Sequence, residues 1–360
     1  MDQNNPIITF LLEHNKRQSE LFCSPDAALA RRQYRATHPT EIAALKCMDG
    51  RLNLAVQTQT PPGIIQPFRN IGGMFDIGWP YFGEIASGWV NYAISKGRSG
   101  VILVTYHYSK GDAHRGCRGF NYDTEAAKAY TRDLSNQIER VFGTEHKVIY
   151  PIQVGIETDD EALIVHGKNG ETLNLAEEPA ATEDALRQRV EKLYPDMGKQ
   201  MAVDIVPLFL GNQRHIAAIR ASNRPVVNTE HREQVLVVGR GMDWLHLPNK
   251  ALIVGPYSYN LREPIVAAAG ILLDNIKKGR VPEQDGLVLL TSAAYREDAG
   301  FEKLRAIEKA RSFADFALDA IYEAVPEIKP HLHLLASIVD LNTRLLTVVP
   351  PRNQAPGTAR

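Results

Sequence analysis

Cysteine is scarce in this chain. Three residues in 360, an odd number, argue against a disulfide framework and for a reducing compartment. An excess of charge is missing too: 41 Lys and Arg stand against 42 Asp and Glu, a formal net charge of -1. That balance leaves no general pull toward nucleic acid or an anionic membrane. No apolar run is long enough to span a bilayer. The opening Met-Asp-Gln-Asn-Asn-Pro lacks the basic start and apolar centre of a secretory leader. These absences predict a cytoplasmic protein with no nucleic-acid or membrane partner. What is present, 44% hydrophobic and 23% charged residues, is the composition of a soluble globular protein. A chain of this length suits two domains.

Two of the cysteines stand in unusual company. Ile42 to Leu45 reads as a short buried strand, and it runs into Cys47-Met-Asp49-Gly-Arg51. Side chains alternate along extended backbone, so Cys47, Asp49 and Arg51 can lean to one side. Cys117 lies in His107-Tyr-Ser-Lys-Gly-Asp-Ala-His114-Arg-Gly-Cys117, just past a second apolar strand. Two cysteines and a histidine near strand ends form a zinc constellation of the open kind, with three protein ligands and one free position. The third cysteine, Cys23, precedes a Ser24-Pro25 helix start and is expected to be a partly buried structural residue.

Along the chain, residues 7 to 35 read as helical, and the loop from Thr60 leads to Phe68-Arg69-Asn70-Ile71-Gly72-Gly73. The paired glycines suggest backbone held close to a neighbour, or a plain turn. A helix over 82 to 96 and the β-branched run Val101 to Tyr106 make a βαβ unit and hence a parallel sheet. A helix over 123 to 142 follows, then a hairpin of Lys147 to Glu157 and Ala162 to Val165. The polar stretch from Glu171 to Glu183, which contains Pro179, is the expected domain boundary.

The second half repeats the first. Asn275-Ile-Lys-Lys-Gly279-Arg280 echoes Ile94-Ser-Lys-Gly97-Arg98, and Gly286 to Thr291 echoes Gly100 to Thr105. Asp298-Ala299 echoes Asp112-Ala113 at the same offset. A helix over 301 to 323 and the strands Leu332 to Asp340 and Arg344 to Val349 complete the series. The chemistry is not repeated: Gln234 to Gly239 runs into Arg240-Gly-Met-Asp243, and no cysteine follows Cys117. The expected fold is therefore α/β, with two tandem domains, each a mainly parallel sheet flanked by helices, the second copy degenerate. The expected domains are 1–175 with the metal site, 176–352 without ligands, and a disordered tail over 353–360.

Cys47-x-Asp49-x-Arg51, Phe68-Arg69-Asn70-Ile71-Gly72, and the helix leading into an apolar strand that ends at histidine with cysteine beyond it resemble the β class of carbonic anhydrases. The resemblance covers about residues 35 to 165, with the later half a degraded copy. Members pair two such domains, usually as a homodimer; a fused pair with one inactive half is similar to the carboxysomal branch. The resemblance thus implies an intramolecular pseudodimer, with a homo-oligomer and a bacterial microcompartment as further options. This chain departs from the family in the third ligand. Members read Gly-His-x-x-Cys after the strand, whereas ten positions separate His107 from Cys117 here. His107 keeps the strand-end position and is favoured; His114, which keeps the short spacing, is the alternative.

The resemblance implies reversible hydration of CO₂ to bicarbonate by a zinc-bound hydroxide, with Zn²⁺ as cofactor. Zinc lowers the pKa of bound water to about 7. Asp49 would accept a hydrogen bond from that hydroxide, and Arg51 would hold Asp49 ionised and turned from the metal. Phe68, Ile71 and Phe75 are candidate apolar walls for a small nonpolar substrate, or core residues. Two other readings share the site: hydrolysis of CS₂ or COS, and a non-catalytic zinc-stapled scaffold or binding protein.

Overall fold

The computed structural model describes residues 5–143, 148–178, 182–222, 230–240, 245–296 and 300–350. It opens with two helices, α1 (Pro6–Cys23) and α2 (Pro25–Thr37), and a single helical turn, α3 (Leu54–Gln57), follows the first strand. Asn5 caps α1 by accepting from the Ile7 and Ile8 amides, with proline at the first helical position. α2 begins at Pro25, directly after Ser24, as the cap pattern predicts.

The chain divides into two compact units, and the division is not the expected one. One unit holds residues 26–230 and 257–259; the other holds 1–25, 231–256 and 260–360. The 175/176 boundary is therefore corrected to 230/231, with the first 25 residues moved to the later unit. The physical reason is where apolar faces are buried. Two helices beyond the polar stretch, α6 (Glu183–Leu193) and α7 (Lys199–Ala221), belong to the earlier unit. There Asn212 on α7 donates to the Gln57 and Glu161 carbonyls and accepts from the Leu163 amide, each at 2.9 Å. Gly211 leaves no room for a side chain, since a Cβ would sit 1.8 Å from the Thr58 carbonyl oxygen. Conversely, Ile8 and Leu11 of α1 lie in the core of the later unit.

In the earlier unit a six-stranded sheet has the order β2-β1-β3-β4-β5-β6. Its strands are β1 (Glu41–Cys47), β2 (Ile65–Asn70), β3 (Gly100–Tyr108), β4 (Ile149–Glu157), β5 (Ala162–His166) and β6 (Thr172–Asn174). β1 pairs parallel to β2 and β3, and β3 parallel to β4; β5 and β6 run antiparallel as expected of a hairpin. Central parallel strands are covered on both faces, which is why Ile42 to Leu45 and Val101 to Val104 are continuous buried runs. The crossover from β2 to β3 runs through α4 (Pro80–Ser95), and that from β3 to β4 through α5 (Thr124–Ile138). Phe82, Ala86 and Val90 of α4 and Leu134 and Ile138 of α5 join Leu45, Ile102 and Val104 in one core. α5 is shorter than the predicted helix; a wider turn over Glu139–Gly143 ends it.

The later unit has a five-stranded sheet in the order β11-β10-β9-β7-β8. It consists of β7 (Val235–Gly239), β8 (Ala251–Val254), β9 (Leu287–Tyr295), β10 (Leu332–Asp340) and β11 (Leu346–Val348), with helices α8 (Arg262–Lys277) and α9 (Gly300–Ala324). Read from β8 to β11, this is the order of β2 to β5, and again only the last pair is antiparallel. The repeat expected from sequence is thus a repeat of topology. Asp243, Asp298, Ala299, Pro179 and the tail over 353–360 lie outside the described residues. Among the described residues no helix is long and apolar enough to cross a membrane.

Candidate metal centre

Strand order sets the place of the site. Chain order runs outward from β1 to β2, then crosses to β3 on the other side of β1, so the carboxyl ends of β1 and β3 flank a switch point where open α/β sheets bind ligands. Cys47 is the last residue of β1, and His107 lies near the end of β3. Cys117 closes the connection after β3 and opens a short turn at Arg118–Phe120.

These three residues converge. Cys47, His107 and Cys117 are all buried, and their ligand atoms lie within 4.8 Å of one another. The two sulfurs are 3.9 Å apart. Sulfurs each about 2.3 Å from a tetrahedral zinc stand about 3.8 Å apart, so the pair is already at the spacing an ion requires. Both ring nitrogens of His107 are buried and have no hydrogen-bond partner. An orphaned buried polar atom costs about 1–3 kcal/mol, and coordination relieves that cost for one of them. His114 lies elsewhere. Its side chain is 80% exposed and its Nδ1 sits 3.3 Å from Asp112, while its ring packs on Tyr122. Of the two candidate histidines, the structure brings only His107 to the sulfurs.

The sulfurs influence each other strongly. A hydrogen bond from Cys117 holds the Cys47 thiol well below its ordinary pKa; burial opposes this, the His107 imidazole assists it and Asp49 opposes it. The same bond, together with burial, pushes Cys117 up, while the Gly119 and Phe120 amides pull it down.

Tight backbone contacts hold the cysteine loops together. Gly73 (φ +66) could not carry a Cβ without coming within 3.0 Å of the Thr105 carbonyl and 3.4 Å of the Cys47 amide. A Cβ on Gly119 would lie 2.7 Å from the Gly72 Cα. The paired glycines therefore do hold backbone close to a neighbour, as one of the two sequence readings had it.

Asp49 and Arg51 form a built pair. The Arg51 Nε donates to both Asp49 oxygens at 3.0 Å, Nη2 donates to Oδ2 at 2.5 Å, and the Arg51 amide donates to Oδ1 at 2.9 Å. Both residues are buried. Asp49 is not one of the group that could hold an ion, although its charge is felt at Cys47. The pair is thus beside the candidate donors without being one of them.

Sequence reasoning missed the role of Arg69. Its guanidinium, 1% exposed, donates to the carbonyls of Cys47 (3.0 Å), Asp49 (2.6 Å) and Leu52 (2.7 Å). Lys46, also fully buried, donates to the Leu52 carbonyl at 2.7 Å. Two buried cations thus fix the main chain from which Cys47 and Asp49 project. The strand Ile65–Asn70 also carries Gln66 and Asn70, so its sequence did not mark Arg69 out. Phe68 and Phe75 are fully enclosed, packing ring on ring with Phe82 and Tyr257 at centroid distances from 4.7 to 6.0 Å. Ile71 is half-buried and starts the turn after Asn70, the residue level with Cys47. Cys23 is exposed, which corrects the expected partial burial: it ends α1 on the surface, its thiol 3.6 Å from the Thr343 carbonyl. Compared with known proteins, no family model matches this chain, nor does any curated protein.

Proposed function

We propose that the chain binds Zn²⁺ through Cys47, His107 and Cys117 and catalyses the reversible hydration of CO₂ to bicarbonate. The observation that carries this reading is the three-member buried donor group with an ionic Asp49–Arg51 pair held beside it and outside it. A purely structural zinc takes four protein ligands, and a three-donor set leaves a position for solvent. An ion there supplies, from water, a nucleophile at neutral pH. The protein's own part is positioning. The hydrogen bonds from the Arg51 guanidinium and amide hold the Asp49 carboxylate fixed as an acceptor. Arg69 and Lys46 hold the backbone beneath it. Of the three candidate wall residues, Phe68 and Phe75 belong to the aromatic core, and only Ile71, half-buried, is left to offer apolar surface to a small nonpolar gas.

Metal analysis together with stopped-flow hydration tests the proposal. About one zinc per chain and hydration above buffer are expected. No hydration at any pH from 7 to 9 in fully loaded protein would remove the enzyme reading. Running CS₂ and COS in parallel decides which linear molecule is the substrate.

A further inference from the structure

The connection between His107 and Cys117 is longer than the β-class pattern, and the structure shows it to be anchored at both ends. Asp159, in the turn after β4, gathers it from one side. Ser109 Oγ donates to its two oxygens at 3.0 and 2.9 Å, the Gly111 amide donates at 2.7 Å, and Arg115 Nη1 donates at 3.4 Å. Glu157, 1% exposed, fixes the turn itself by accepting from the Asp159 and Asp160 amides at 2.9 Å and the Lys110 amide at 3.3 Å. From the other side, the Arg115 carbonyl accepts from Arg51 Nη2 at 2.8 Å. That nitrogen is the one that also bonds Asp49 Oδ2. An unbroken series of contacts therefore runs from Asp159 through Arg115 to Arg51 and Asp49.

We propose that Asp159 is a positioning residue for the Asp49–Arg51 pair, acting through the 109–116 connection. Arg51 is a long side chain whose orientation costs rotamer entropy. The Arg115 carbonyl accepts from the same Nη2 that bonds Asp49, so Arg51 is held by two acceptors at once. Without Asp159 the connection loses its bonds from Ser109, Gly111 and Arg115 and keeps only the Lys110 bond to Glu157, so the Arg115 carbonyl moves and Arg51 keeps Asp49 in place less strictly. The inference rests on the metal-site reading above but not on any particular substrate.

The test uses full-length protein loaded with Co²⁺, whose visible absorption reports the geometry of its donors, alongside CO₂ hydration by the zinc form. Asp159→Ala, Arg51→Ala and the double variant are compared. We expect Asp159→Ala to bind one Co²⁺ per chain, to change the absorption in the same sense as Arg51→Ala, and to lower kcat/KM about 10–100-fold. The double variant should resemble Arg51→Ala alone, because the two act in series. Ser109→Ala, a milder change, should move the spectrum the same way by less, and it stands in if Asp159→Ala does not fold. A wild-type spectrum in Asp159→Ala, or in Ser109→Ala where that is the variant measured, overturns the proposal. So do effects of Asp159→Ala and Arg51→Ala that simply add. Absence of hydration in the wild type with the spectral coupling intact would remove the proposed reaction and leave this inference standing.

Discussion

Two sheets in this chain share a strand order and differ in what they carry at the same edge. Val288 pairs with Val235 as Ile102 pairs with Ala43, and β9 follows β3 at the offset of the sequence repeat. Counting on from those pairs, the position of Cys47 is Gly239 and that of His107 is Ala293. The β8 register likewise places Val254 where Arg69 stands. The later unit thus keeps the parallel strands and the switch point but has no donor, no buried guanidinium and no imidazole at these places. The strand order needs only apolar, β-branched runs covered by helices. The candidate chemistry needs a few polar residues that such a core has to accommodate one at a time, each with its own partners.

The largest effect expected is from making the earlier site like the later one. Cys47→Gly with His107→Ala should reduce bound zinc from about one per chain to a negligible level and hydration by at least about 10³-fold, read by metal analysis and stopped flow. The fold should remain, because the later unit carries glycine and alanine at these positions; retained zinc would place the ion elsewhere. Arg69→Val copies Val254 into β2. It removes one donor from each of the carbonyls of Cys47, Asp49 and Leu52, of which Leu52 keeps Lys46 and Asp49 keeps the Leu52 amide, and a stability loss of about 2–3 kcal/mol in urea unfolding is expected. A loss below about 1 kcal/mol would show that water or Lys46 replaces Arg69.

The reverse exchange is predicted to fail. Gly239→Cys with Ala293→His puts two donors on the later sheet, yet a Cβ at 239 meets the Ser292 carbonyl oxygen at 2.8 Å. Backbone must shift to admit it, at a cost of about 1–3 kcal/mol, and no cysteine after Cys117 stands in the later half to act as its counterpart. Zinc should stay at about one per chain; a second equivalent held as tightly as the first would refute this reading of the later unit.

The comparison also marks how far the sequence could be read. Parallel strands were legible in Ile42 to Leu45 and Val101 to Val104 because a strand buried on both faces must be apolar throughout. The repeat was legible because strand, Lys-Gly-Arg turn and hairpin recur in order. The division into units was not, since whether α1 or α7 covers one sheet or the other depends on contacts such as those of Asn212 and Leu11, which leave no periodic signal. The candidate ligands were legible as residue types, and strand-end position favoured His107 over His114. The partners of Arg51 and Arg69 are backbone carbonyls, and every residue has one. No pattern of side chains announces them.

The smallest effect separates the units at another matched position. In the earlier sheet the Tyr106 ring lies over Gly155, where a Cβ would come within 2.7 Å of its hydroxyl, and that hydroxyl meets His166 Nε2 at 2.9 Å. The later sheet has Ser292 and Ser337 at the corresponding places. Burial, with the nearby Lys128 cation adding to it, lowers the His166 pKa to about 4. An unfolded histidine titrates near pH 6.5, so between that value and about 4 the unfolded chain binds the proton that the folded one refuses. The contribution is therefore complete above about pH 6.5 and is lost as pH falls toward 4. The ring is partly exposed, and solvent screening leaves a loss on the order of 1–2 kcal/mol. His166→Gln removes the titration while keeping a side chain able to bond Tyr106. Urea unfolding of the variant should show a shallower fall in stability from pH 6.5 to 4 than the wild type. Parallel curves would mean that His166 takes up its proton in the folded protein as readily as in the unfolded one.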